Sequence, residues 1–194
     1  MIRRGLYKTD AVVLNSYDFG ESDRIIAFCT RDFGKLKGVA KGARRSKKRF
    51  VGKLDPPCLV SLVFFHNDGS ELVRVEEVSL LEAYNDLKAD IEILSEACYL
   101  LELTAEMTRE GVVSRGVYEL LIVFLRMLGE RGARPAALRF FEIKLLTLLG
   151  LMPHMEGCVV CRSPFGANGA SPSVFSSDRG GAVCGSCARC SPKA

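Results

Sequence analysis

Two sets of residues in this chain have types and spacings that imply chemistry. The first is Cys158-Val159-Val160-Cys161, followed 22 residues later by Cys184-Gly185-Ser186-Cys187. A Cys-x-x-Cys knuckle turns its two sulfurs to one side, and two knuckles can surround one tetrahedral Zn²⁺ with four thiolates. Four sulfurs fill the coordination shell, so the spacing predicts a single structural zinc with no open position for water. Cys190 prolongs the second knuckle and is an alternative to Cys184, although Gly185 leaves the Cys184–Cys187 turn unhindered and favours that pair. His154 is a rival ligand, with a surface role at a helix end as its other reading. The second set runs from Lys35 to Lys53, KLKGVAKGARRSKKRFVGK, and holds nine of the 27 Lys and Arg with no acidic residue. Without those nine, 18 cations would face 23 Asp and Glu, and the formal net charge would fall from +4 to −5. Cations this close repel one another unless an anion lies among them, and a phosphate backbone is the anion that matches. Lys35, Lys37, Lys41, Arg44, Arg45, Lys47, Lys48 and Arg49 are therefore the expected phosphate contacts, with Phe19, Phe33 or Phe50 as stacking surfaces. A plain solvated loop, or a short import-like tract, is the competing reading.

Catalysis is poorly supplied. The chain has two histidines, His66 and His154, no Walker-type phosphate loop and no Ser-His-Asp order, so no catalytic residue is expected. The alternatives to a DNA-binding protein are a zinc-dependent enzyme on nucleic acid using Asp23, Glu21 or His154, and an RNA-binding protein. An open zinc position with turnover would mark the first, and preference for RNA over single-stranded DNA the second. Of eight cysteines, five crowd into the last 37 residues, a distribution that points to metal in a reducing compartment and not to disulfides. No apolar stretch of signal-peptide length follows the charged start MIRRGLYKTD. The run from Leu145 to Met152 is far below the roughly 20 residues that span a bilayer. A cytoplasmic protein without a membrane partner is expected.

Those residues need elements to hold them. From Gly5 to about Leu81 the pattern is β, with strands predicted over Thr9 to Tyr17, Asp23 to Thr30, Gly34 to Ala40, Pro57 to His66 and Glu71 to Leu81. Five short strands with Gly-rich bends predict a closed Greek-key barrel of the OB type, and an SH3-like barrel fits the count nearly as well. On the OB reading the basic stretch lies on the rim, after the third strand. Beyond Asn85-Asp86 the period lengthens. Ile91, Leu94, Cys98, Leu101 and Ala105 stripe one helix that ends near Gly111. Ser114 caps a second helix with Val117, Leu120, Leu121, Phe124, Leu125 and Leu128 on its face. Pro135 opens a third, apolar around most of its circumference and expected to lie centrally. Phe175 to Gly181 forms a turn that doubles the tail back and brings the knuckles together. The fold class is α+β: a five-stranded OB-fold barrel for nucleic acid (1–82), an all-α helical domain (83–153) and a four-cysteine zinc-finger segment packed on it (154–194).

Several of these stretches together resemble the bacterial recombination mediator family RecO. They are Glu21-Ser22-Asp23-Arg24-Ile25-Ile26, Thr30, Phe33-Gly34-Lys35-Leu36 and Val39-Ala40-Lys41-Gly42-Ala43-Arg44-Arg45. The helical stripes follow, then Cys158, Cys161, Cys184 and Cys187 with Phe175 and Gly180-Gly181 between. The resemblance covers essentially all 194 residues. It implies binding of single- and double-stranded DNA, annealing of complementary strands coated by single-strand binding protein, and cooperation with RecR to help load RecA. It also implies an apolar groove among the helices that captures the acidic, hydrophobic tail of single-strand binding protein, with Arg126, Arg131 and Lys144 near its rim. A nucleoid-associated protein is expected on the same ground. Family members usually continue into further helices past the second knuckle, so this chain is expected to be a short form or to lack part of the helical domain.

Overall fold

Period-2 patterning in the first 82 residues builds five strands: β1 Gly5–Phe19, β2 Asp23–Thr30, β3 Gly34–Ala40, β4 Leu59–His66 and β5 Val73–Glu82. The structure, a computed structural model, describes residues 2–46, 48–132, 134–166 and 169–190. The strands close in the order β1-β2-β3-β5-β4, with β4 paired back onto β1. One long strand makes this closure possible. β1 pairs with β4 through Gly5 to Val12 and with β2 through Ala11 to Phe19, and a register shift between Val13 and Asn15 bends it from one partner towards the other. All pairings are antiparallel except β3 with β5, which meet through Gly38↔Val73 and Val39↔Arg74. A Cβ on Gly38 would lie 2.9 Å from Val75 Cγ2, so glycine is what lets this seam shut. Inward side chains such as Val13, Ile26, Phe28, Leu62 and Phe64 fill the interior. Phe50 and Leu54, from the connection after β3, join the same core at 3% and 1% exposure.

The single helix expected from Asn85 to Gly111 is two: α1 Asn85–Ala89 and α2 Ile91–Met107. Asp90 breaks it. Its backbone is extended, and its carboxylate accepts from the amides of Glu92 at 2.8 Å and Ile93 at 3.3 Å, an N-cap for α2. The buried face of α2 is Ala97, Leu100, Leu101 and Thr104, rotated from the expected stripe, and Ile91 stands 77% exposed. Helix α3, Arg115–Arg131, buries the expected Val117, Leu121, Phe124, Leu125 and Leu128, leaves Leu120 half-buried and adds Tyr118, and Ser114 stands at its N-cap without a side-chain capping bond. Helix α4, Pro135–Leu148, is not central. Phe141 and Leu145 are buried, with Phe141 edge-on to Phe124 at 5.1 Å, while Phe140 and Ile143 are exposed. Its even apolar distribution carries no information about which side meets a neighbour.

Residues 1–145 form one compact unit and 146–194 another. Within the first, the turn before β3 is fixed to the segment after α2. The Gly111 amide donates to the Lys35 carbonyl at 3.1 Å, and a Cβ on Gly34 (φ 69°) would fall on the Val112 carbonyl. The second unit holds a hairpin, β6 Pro172–Ser176 with β7 Gly181–Cys184, and a short helix α5 Gly185–Cys190. No described helix is long and apolar enough to cross a membrane.

Candidate metal centre and candidate nucleic-acid interface

The hairpin of the second unit is what brings the knuckles together. Its turn is closed by the Gly180 amide donating to Ser177 O at 3.2 Å, with Gly180 at φ 67°. The first knuckle docks onto β7 through the Val159 amide, which donates to Ala182 O at 3.0 Å. The sulfurs of Cys158, Cys161, Cys184 and Cys187 all fall within 4.8 Å of one another, and Cys161 Sγ stands 3.8 Å from Cys184 Sγ. A tetrahedral ion with bonds of about 2.3 Å to sulfur sets its ligands about 3.8 Å apart, so the four thiols can hold a metal ion. Cys158 and Cys184 are buried. The Cys184 amide donates to Cys158 Sγ at 3.4 Å and is the main reason the Cys158 thiol is drawn down to about 6. Cys161 is lowered by the Ser163 hydroxyl, 3.3 Å from its sulfur. Cys187 is pushed up to about 12, first by the adjoining Cys184 sulfur. Negative charge on so many close sulfurs resists the last deprotonation, and a divalent cation removes that resistance. Cys190 is exposed and outside the quartet, and His154 uses its backbone to bond Gly180 and Ala182.

The basic stretch divides by what each cation touches. Lys35 Nζ donates to Ala105 O at 2.6 Å, in the last turn of α2, which has no basic residue of its own to face its exposed carbonyls. Lys37 pairs with Glu110 at 2.7 Å. Arg49 lies across β5, with Nε donating to Glu76 O at 2.7 Å and its guanidinium 4.7 Å above the Phe50 ring. Lys53 Nζ donates to Val78 O at 3.0 Å. Arg49 and Lys53 hold the connection against β5, while Lys35 and Lys37 tie β3 to the end of α2 and the segment after it. Between them, Lys41, Arg44, Arg45 and Lys48 are exposed, and Lys47 lies outside the described residues. Arg44 meets Asp18 at 3.2 Å and Arg45 meets Glu21 at 3.6 Å. Exposed ion pairs of this kind contribute at most about 1 kcal/mol each, so a phosphate can displace them.

Asp23 orients this turn. Its carboxylate accepts from the Gly42 amide at 2.8 Å and the Ser22 hydroxyl at 3.1 Å, and the Gly42 bond is the first cause of its lowered pKa. Of the three phenylalanines expected to stack, Phe50 is buried in the barrel. Phe33 packs edge-on to Tyr7 and Phe64 at 5.3 Å each, and Phe19 stands 53% exposed beside the turn. Sequence reasoning missed Arg4 and Arg74. They meet Lys41 around a groove of about 410 Å³ that also touches Val39, Phe65 and Leu72. A count along the chain finds runs, and these cations come from separate strands and flanks.

The family described as Recombination protein O N terminal matches residues 1–84, and Recombination protein O C terminal matches residues 88–194. Among similar curated proteins is the DNA repair protein RecO of Anaeromyxobacter dehalogenans, 38% identical over 181 residues, covering 93% of this chain and 70% of that one. The DNA repair protein RecO of Syntrophus aciditrophicus is 35% identical over 187 residues, 96% of this chain and 71% of that one. The one from Myxococcus xanthus is 37% identical over 181 residues, 93% of this chain and 72% of that one.

Proposed function

Because the chain belongs to the RecO family of DNA repair proteins, we propose that it is a non-enzymatic DNA-binding mediator that anneals complementary strands and helps load recombinase on strands coated by single-strand binding protein. The observation that carries this reading is the turn after β3. Lys41, Arg44, Arg45 and Lys48 project from a connection pinned by Phe50 and Asp23, so their charges are held in place, with only exposed, displaceable ion pairs to Asp18 and Glu21 on Arg44 and Arg45. The strand order β1-β2-β3-β5-β4 supports an OB-fold for residues 1–82, with the basic turn on its rim. The change between family matches at residues 84 and 88 supports a boundary there. The helical part is proposed over 83–153 and the zinc segment over 154–194.

Contact with DNA is assigned to Lys37, Lys41, Arg44, Arg45, Lys47 and Lys48, while Lys35 and Arg49 brace the interface from behind. The metal is proposed to be one structural Zn²⁺, a borderline-soft ion that four soft thiolate donors in a tetrahedron favour. It would stabilise the segment and take no part in a reaction. The partners proposed are single- and double-stranded DNA, RecR, the tail of single-strand binding protein and, through them, RecA, in a cytoplasmic and nucleoid-associated setting. For the acidic tail, a groove of about 380 Å³ lined by Val123, Arg126, Met127, Glu130 and Arg131 offers an apolar floor with two guanidinium groups. Lys144, 5.5 Å over the Phe140 ring, is the third candidate cation.

Binding of labelled single-stranded DNA to the whole chain across a salt series tests the core of this reading. Affinity should fall linearly on logarithmic axes with a slope set by several phosphates, and RNA should compete no better than DNA. A salt-independent weak signal would overturn it, and a strong preference for RNA would favour an RNA-binding role.

A further inference from the structure

We infer that the outer wall of the barrel beside the basic turn carries a subsite for one unpaired nucleotide, built on Phe65 and Arg74 and flanked by Arg4 and Lys41. The inference rests on the DNA-binding reading above and specifies what that interface distinguishes. Register produces the platform. Arg74 on β5 sits opposite Val39 on β3 and opposite Phe65 on β4, and Phe65 sits opposite Leu6 on β1. Residues opposite one another on neighbouring strands face the same side, so Leu6, Phe65, Arg74 and Val39 form one row across four strands on the outside. Leu6 is 64% exposed there.

The chemistry of the row suits a base with its phosphate. The Arg74 guanidinium lies 5.4 Å over the Phe65 ring, so a planar group can add to a stack already begun, and both aromatic and guanidinium faces accept any base. Lys41 and Arg4 line the same groove and reach a phosphate on either flank. Acidic neighbours do not cancel this charge. Glu76 is shared between Arg74 and Arg49, and Asp23 acts on Lys41 while bound to the Gly42 amide. A groove of about 410 Å³ has room for one nucleotide. A paired base lies between its neighbours and cannot enter, so the groove adds affinity only for single strands.

The test measures the affinity of the whole chain for a thymidine oligonucleotide and for a duplex of equal length. Phe65→Leu, Arg74→Gln and the Arg44→Ala/Arg45→Ala double variant are compared with wild type, and thermal melts check folding. Loss of one stacked base costs roughly 5- to 160-fold. Phe65→Leu should weaken single-strand binding within that range and leave duplex binding within about twofold. Arg74→Gln should weaken single-strand binding several-fold, and it carries the test if Phe65→Leu does not fold. Quenching of 2-aminopurine in the oligonucleotide should diminish in both variants. If both leave single-strand affinity unchanged, or weaken single strand and duplex equally, while the double variant weakens binding, the subsite is wrong and the DNA-binding turn stands. If the double variant also binds as wild type, the DNA-binding reading itself fails.

Discussion

Arg44 and Arg45 extend from the turn after β3, and each is engaged by one exposed carboxylate, Asp18 or Glu21. Exchange of that partner for a phosphate releases counterions from DNA. Arg44→Ala with Arg45→Ala should therefore weaken binding uniformly across sequences and reduce the logarithmic salt slope by roughly one to two. Salt titrations by fluorescence anisotropy measure this, and an unchanged slope would remove both residues from the interface. Asp23 governs the same turn from beneath. Its pKa is held below the ordinary 3.8, first by the Gly42 amide, so its bonds to the turn are intact at neutral pH. A depressed carboxyl contributes stability above its unfolded pKa and loses it as pH falls through the folded value. An NMR titration of the Gly42 amide should show a midpoint below 3.8, and one at or above 3.8 would contradict the anchor.

The β6–β7 hairpin is the element whose stability depends most on something beyond its own packing. Its core is small, with Cys158, Val183 and Cys184 buried and Val159, Phe165 and Ala170 packed against them. A core of this size leaves the segment short of apolar burial, and metal binding supplies folding free energy in such cases. Cys161→Ser, or a strong chelator, should increase hydrogen exchange from Cys158 to Cys190 and lower solubility, with any loss of DNA affinity secondary. Elemental analysis of reduced, chelator-free protein should find one zinc per chain. Its absence would contradict the centre. The barrel, by contrast, has a continuous core and closed strand pairing, so its exchange should not respond to chelator.

At the scale of the whole chain, the formal charge is +4 and one stretch of 19 residues accounts for its sign. A chain that only shielded one strand would protect it. Cations that neutralise phosphates on two strands at once lower the repulsion between complements, provided the grip is weak enough to exchange. The ion pairs of Arg44 and Arg45 are of that displaceable kind. Annealing should therefore proceed without ATP on naked complements and on strands coated by single-strand binding protein. A fluorescence annealing assay with and without that protein's C-terminal tail measures both. Naked strands pairing no faster than spontaneously at low salt would overturn the mechanism. Equal rates with and without the tail on coated strands would remove only tail capture at Val123, Arg126, Met127 and Arg131.

The sequence by itself determined where four of the five strands lie to within two residues at each end, because alternation and Gly-rich turns are local signals. It pointed to the four cysteines that come together for the same reason: a knuckle is a local turn, and a single hairpin suffices to join two of them. The α1–α2 break needed the backbone of Asp90, since an aspartate within an apolar period reads equally as a surface position or a cap. Tertiary structure alone decided which cations are available. Lys35 and Arg49 belong to the basic run by sequence, yet one faces the end of α2 and the other crosses β5. Arg4 and Val39 lie far along the chain from Phe65 and Arg74, and they come together because barrel closure sets the register of β1, β4, β5 and β3. Register between strands distant in sequence depends on how the whole core packs, and no local pattern contains it.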